Sequence, residues 1–98
     1  MEKEFTIYIP NDDNDISLDG KILVKLHEVK TSGRIWRFNL NDKDTFPSTP
    51  HGHDKENGDK VNVFTGEIYN KDRGLVSKLS QKQLMRLKIM LKETHHAI

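Results

Sequence analysis

The sequence contains no cysteine, which excludes a disulfide scaffold and every thiolate metal site and removes the commonest staple of small secreted folds. A cytoplasmic setting is therefore expected. Long hydrophobic runs are also missing: nowhere do about 18 apolar residues follow one another, and the opening MEKEFTIYIP has no apolar stretch behind a basic one, so neither a membrane span nor an export signal is expected. Charge of one sign is lacking as well. The formal net charge is +1, which argues against a protein that holds nucleic acid mainly through a large field. No phosphate-binding Walker loop, dinucleotide fingerprint, zinc-finger spacing, calcium loop or Gly-x-Ser-x-Gly elbow occurs. Internal repeats and low-complexity tracts are absent too.

What is present is a chain of 98 residues, too short for two independent cores. A single domain spanning 1–98 is expected. Charged residues make up 32% and hydrophobic ones 34%, a polar balance that still leaves material for a modest core. The charges are unevenly spread. Residues 11–19 (NDDNDISLD) are acidic, whereas residues 71–92 carry Lys71, Arg73, Lys78, Lys82, Arg86, Lys88 and Lys92 against Asp72 alone. Such asymmetry is usually a solvated helix face and otherwise a docking surface for an acidic partner or phosphates.

Periodicity supplies the elements. Phe5, Ile7 and Ile9 alternate with polar neighbours up to Pro10, the pattern of a strand with one buried face. Ser17 can cap a helix carrying Leu18, Ile22, Leu26 and Val29, with Gly33 as its stop. A strand is the rival reading over residues 17–30, because Ile22, Val24 and Leu26 also alternate and Gly20 is unfavourable inside a helix. Trp36, Phe38 and Leu40 mark a strand over 34–40. From Asn41 to Lys60 periodicity is lost, and so long a loop in a small domain is usually functional or disordered. VNVFTGEIYN then reads as a hairpin turning at Thr65-Gly66. Ser80 and Gln83 form a capping box for a C-terminal amphipathic helix over about 81–94, with Leu84, Leu87 and Leu91 on its apolar face. The expected fold is α+β: a small antiparallel sheet of three to four strands, a helix near the N-terminus and the C-terminal helix on one face.

The long loop contains FPSTPHGHD, residues 46–54. Imidazole can accept or donate a proton near neutral pH, so His51 and His53 are the candidate acid and base. In an extended segment, side chains two apart point to one side. Gly52 would allow a close backbone turn, and Pro47 and Pro50 would restrict the loop. The bland alternative is a surface loop in which histidines are tolerated. A metal reading has two imidazoles and the Asp54 carboxylate to draw on, but a third firm ligand is missing nearby and His95 or His96 could supply one only if the C-terminal helix ends beside the loop, so no metal or other cofactor is assigned. Ser48 has no recognisable oxyanion site and is discounted as a nucleophile. Phosphodiester cleavage needs a base, an acid and a cation. Arg37 and Tyr69 join the two histidines as candidate catalytic residues, with Arg34, Lys60 and Trp36 as candidate substrate-binding residues. For these cations the bland reading is ordinary surface charge, and for Tyr69 and Trp36 it is core packing.

Pro50, His51, Gly52 and His53 resemble the Pro-His-x-His signatures of small bacterial toxin–antitoxin proteins. A leading helix, a small sheet and His, Arg and Tyr side chains together are similar to the barnase and RelE-like group of metal-independent ribonucleases. The resemblance covers residues 17–70 and implies an RNA-cleaving toxin held inactive by an antitoxin, with His51 and His53 matching the motif. Two functional readings therefore stand: a metal-independent endoribonuclease acting on RNA, and a non-enzymatic protein-binding module of the antitoxin, phage or anti-defence kind, docking through its loop and its basic C-terminal helix.

Overall fold

The computed structural model describes residues 4–23, 32–39 and 43–95, the side chains of residues 94 and 95 excepted. The two alternating segments form the longest strands, β1 (Glu4–Pro10) and β2 (Gly33–Asn39). They pair antiparallel, with Phe5 opposite Phe38, Ile7 opposite Trp36 and Ile9 opposite Arg34, so both apolar sets share one face. β3 (His51–His53), β4 (Lys60–Asn62), β5 (Glu67–Tyr69) and β6 (Leu75–Lys78) follow. All six strands form one antiparallel sheet in sequence order.

The helix α1 (Gln81–His95) covers the apolar face. Its start is fixed by the reciprocal bonds of a capping box: the Ser80 N–H donates to Gln83 Oε1 at 2.9 Å and the Gln83 N–H to Ser80 Oγ at 3.2 Å. Leu87 and Leu91 enter a core with Ile7, Ile9, Trp36, Phe38, Val61, Val63, Ile68 and Leu79. Two helix side chains also reach along β1. Gln83 Nε2 donates to the Pro10 carbonyl at 2.9 Å and Arg86 Nε to the Tyr8 carbonyl at 2.6 Å. Carbonyls two residues apart on a strand point the same way, so the helix satisfies backbone acceptors on the side of β1 that no strand occupies.

This architecture corrects the expected one. Among the described residues, the sheet has six strands rather than three or four, and no helix begins at Ser17. Among the described residues, Ile16 and Ile22 form an isolated antiparallel bridge around a turn. The Ser17 N–H donates to the Lys21 carbonyl at 2.8 Å and Gly20 adopts φ +83°. A left-handed glycine closes this turn more readily than it enters a helix, and Leu18, 85% exposed, contributes nothing to an apolar face. Leu26 and Val29, the rest of the expected face, lie outside the described residues, as does Leu40.

The unexpected strands are β3 and β6. Strand β3 arises within what reads as a structureless loop, because its central residue is a glycine and its flanking residues are histidines, leaving no apolar alternation to detect. Gly52 does not turn the chain. A Cβ there would sit 2.9 Å from Phe38 Cζ, 3.0 Å from Val61 Cγ1 and 3.1 Å from Trp36 Cβ, so the missing side chain is what lets the core close over β3. Strand β6 is exposed at all four residues, and an edge strand with little buried area carries no burial pattern to read. Among the described residues, no helix is long and apolar enough to cross a membrane.

Candidate functional site

Because Gly52 faces the core, His51 and His53 must face the opposite, outer side of the sheet. The same alternation sends Arg37 outward between Trp36 and Phe38, Lys60 outward beside Val61, and Tyr69 outward beside Ile68. Register then aligns them. Thr6 lies opposite Arg37, Arg37 opposite His53, His53 opposite Lys60, and Lys60 opposite Tyr69. Four candidate residues from four different strands thus form one row across the outer face, at a strand spacing of about 4.8 Å.

Residues 43–50 fold over one end of this face as a clasp. Lys60 Nζ donates to Asp44 Oδ2 at 2.6 Å, and Asn62 Nδ2 donates to the Pro47 carbonyl at 3.2 Å. Phe46 meets Tyr69 edge-on at 5.0 Å, and the Arg73 guanidinium lies 4.7 Å over the Phe46 ring. Ser48 is buried and bridges two backbone groups: its hydroxyl donates to the Pro50 carbonyl at 2.7 Å and accepts from the Val63 N–H at 3.2 Å. The discounted nucleophile is a structural tie.

The two histidines are not equivalent. His51 is 4% exposed beneath the clasp, with Nδ1 2.8 Å from the Ser48 carbonyl. A carbonyl oxygen only accepts, so Nδ1 carries a proton. His53 is partly exposed within the row, and its ring centroid lies 4.6 Å from that of His51. His51 thus packs against His53 from beneath the clasp, and His53 is the more exposed imidazole of the two.

The electrostatics of the row follow from its neighbours. The Lys60 ammonium, followed by the Phe46 N–H, holds the Asp44 carboxyl down at about 2. Partial burial, then the bond to Glu67, raises the Tyr69 phenol, whose hydroxyl donates to Glu67 Oε1 at 3.1 Å. Tyr69 stays protonated through neutral pH. Among the described residues, the Arg37 guanidinium makes a loose 3.9 Å contact with Glu4 Oε1.

Arg34 and Trp36 stand apart from the other candidates. Trp36 is fully buried on the core face, where its Nε1 has no hydrogen-bond partner among the described residues. The Arg34 guanidinium lies 4.4 Å over its ring and is fixed by Asp54 at 2.7 Å and Asp59 at 2.8 Å. This ion-paired arginine ties β2 to the turn between β3 and β4. Asp54, the carboxylate of the HxHD pattern, is committed to that tie, and among the described residues no group of three or more His, Asp or Glu is placed to hold a metal ion. The side chain of His95 and all of His96 lie outside the described residues.

Arg86 belongs to the basic run expected as a solvated helix face or a docking surface, but it is buried. It is only 8% exposed, donates to the Tyr8 and Gly20 carbonyls, and has its pKa lowered, first of all by burial. Its neighbour Lys82 reaches the Asp13 carbonyl at 3.3 Å. Part of the basic helix is thus spent on internal bonds. The chain matches no protein-family model, no curated protein and no solved structure.

Proposed function

We propose that the outer face of the sheet binds RNA and cleaves it without a metal, with His53 as the group that takes the 2'-hydroxyl proton. The observation that carries this reading is the register that brings Arg37, His53, Lys60 and Tyr69 into one row. A phosphate seated over Lys60 has His53 on one side and Tyr69 on the other, each about 4.8 Å away at the level of the backbone. An in-line displacement asks for a base and an acid on opposite sides of phosphorus.

In this scheme the neutral His53 imidazole accepts the O2' proton while O2' bonds to phosphorus and the P–O5' bond breaks. The Tyr69 hydroxyl turns from Glu67 Oε1 to give its proton to the departing O5', a 2',3'-cyclic phosphate is left, and His53 and Tyr69 regain their starting protonation through water. Arg37 and Lys60 meet the negative charge that builds on the non-bridging oxygens. His51 acts through His53 alone. A toxin-type role in the cytoplasm, with an antitoxin restraining the activity, goes with this reading.

The test is incubation of the purified protein, with chelator present, on an RNA and on the matching DNA, which lacks the 2'-hydroxyl. Cyclic-phosphate ends from RNA alone, lost in His53→Ala and strongly reduced in Tyr69→Phe, are the expected result. Intact RNA under all conditions, or cleavage unchanged in His53→Ala, would refute the reading.

The non-enzymatic binding module is favoured by a different observation, the open edge at β6. The helix covers the first edge of the sheet, whereas β6 exposes Leu75 and Val76 in a strand with no proline. A partner strand added there would be blocked by Val76→Pro, a change at a residue outside the His53 row.

A further inference from the structure

The row of polar residues ends in a pocket. Beyond Arg37, a depression of about 310 Å³ is lined by Thr6, Ile35, Arg37, Lys55 and Glu56 together with the Arg34–Asp54 pair. Its floor is apolar: Ile35, on the outer face two residues before Arg37, is 59% exposed. Its rim carries one donor and one acceptor, because Lys55 and Glu56 follow each other in the turn between β3 and β4 and their side chains engage no other group among the described residues. One wall is rigid, since Arg34 is clamped by two carboxylates.

An exposed isoleucine beside an arginine, with a carboxylate and an ammonium at the edge, is poorly suited to a bare anion. It suits a flat, largely apolar ring whose perimeter carries both donors and acceptors. We infer that this pocket is a nucleobase-binding subsite, in which the base of the nucleotide whose phosphate meets Arg37 lies on Ile35 and turns its polar edge to Lys55 and Glu56. This inference rests on the reading of the outer face as an RNA surface and adds where the base goes. Ile35 and Arg37 are two residues apart on an extended strand, about 6.6 Å at roughly 3.3 Å per residue, comparable to the reach from a base to its own phosphate. Single-stranded RNA is read through splayed bases laid on side-chain surfaces. Arg37 belongs to both the pocket and the row, so a base held here places its phosphate next to His53.

The experiment compares AMP and UMP with ribose 5-phosphate, which keeps the sugar and the phosphate but has no base, in an NMR titration of the full chain. Expected are shifts at Thr6, Ile35, Lys55 and Glu56 with the nucleotides, and binding at least about tenfold tighter than for ribose 5-phosphate. Ile35→Ser, at an exposed position, should keep the fold and bring the two affinities together, while Ile35→Phe should tighten nucleotide binding. Equal affinity for nucleotide and sugar phosphate in the unaltered protein, or shifts that avoid the pocket, would overturn the assignment. Nucleotide binding at the pocket without RNA cleavage would support the subsite and defeat the proposed activity. Cleavage without base-dependent binding would do the reverse.

Discussion

Replacing Gly52 with alanine inserts one methyl group at the centre of the His-Gly-His strand, on the side away from both histidines. The new carbon would meet Phe38 Cζ, Val61 Cγ1 and Trp36 Cβ at 2.9–3.1 Å, whereas carbon atoms in good contact sit about 3.5–4.0 Å apart. Each neighbour must retreat by roughly half an ångström or more. Little room exists for that: Phe38, Val61 and Trp36 are all fully buried, and Phe38 is stacked on Phe5 at 5.1 Å. Overpacking of this kind costs about 1–3 kcal/mol, and the reduced freedom of the unfolded chain returns about 0.4–1 kcal/mol. The expected net loss is about 1–2 kcal/mol, or a fall in Tm of roughly 5–15 °C for a domain of this size. Thermal unfolding followed by circular dichroism measures it. Because Val61 Cγ1 is one of the three atoms in the way, Val61→Ala should absorb part of the clash. The double variant Gly52→Ala/Val61→Ala should therefore be less destabilised than the sum of the single changes, by about 0.5 kcal/mol or more. An unchanged or higher Tm in Gly52→Ala, or strict additivity with Val61→Ala, would refute the placement of Gly52 against the core.

Three further outcomes follow from the contacts. Arg86→Met keeps the apolar stem but removes the donors to the Tyr8 and Gly20 carbonyls; the loss, eased by no longer burying a charge, should be about 2 kcal/mol, seen as a lower urea midpoint at unchanged slope, whereas Lys88→Met should stay within about 0.5 kcal/mol. Asp44 has its folded-state pKa depressed from 3.8 to about 2, so its contribution is present above about 4 and is lost as pH falls towards about 2. The Tyr69 ring resonances should report release of the Phe46 contact across that window, and Asp44→Asn should abolish the step. Ser48→Ala strips the Val63 N–H of its acceptor and the Pro50 carbonyl of a donor in a buried place; a loss of about 1–3 kcal/mol is expected in chemical denaturation.

Legibility differed between elements for physical reasons. Strands β1 and β2 announce themselves because one face of each is buried, which forces Phe5, Ile7, Ile9, Trp36 and Phe38 into alternation. Helix α1 announces its start because Ser80 and Gln83 satisfy each other's backbone groups locally. The segment around Gly20 misleads, since apolar residues four apart fit a helix equally well, and only its left-handed backbone and its packing on Arg86 select the turn. The candidate site divides in the same way. That side chains two apart in an extended segment share a side is local, so a common side for His51 and His53 could be read directly, whereas its facing outward follows from the packing of Gly52 on the core. That His51 is sealed beneath residues 43–50 while His53 remains partly exposed could not, because the groups that hold the clasp, Lys60, Asn62 and the Val63 N–H, come from a segment more than ten residues further along the chain.

The sequence by itself determined the residue types, the alternation of the two long strands and the helix with its cap, all consequences of groups within a few positions of one another. Tertiary structure alone decided which of those side chains meet. Strand register aligned Arg37, His53, Lys60 and Tyr69 from four separate segments and set Trp36 and Arg34 on the opposite face. The physical reason is that register depends on how the whole core packs, including the space left by one glycine, and no local pattern encodes the distance between strands that are far apart in the chain.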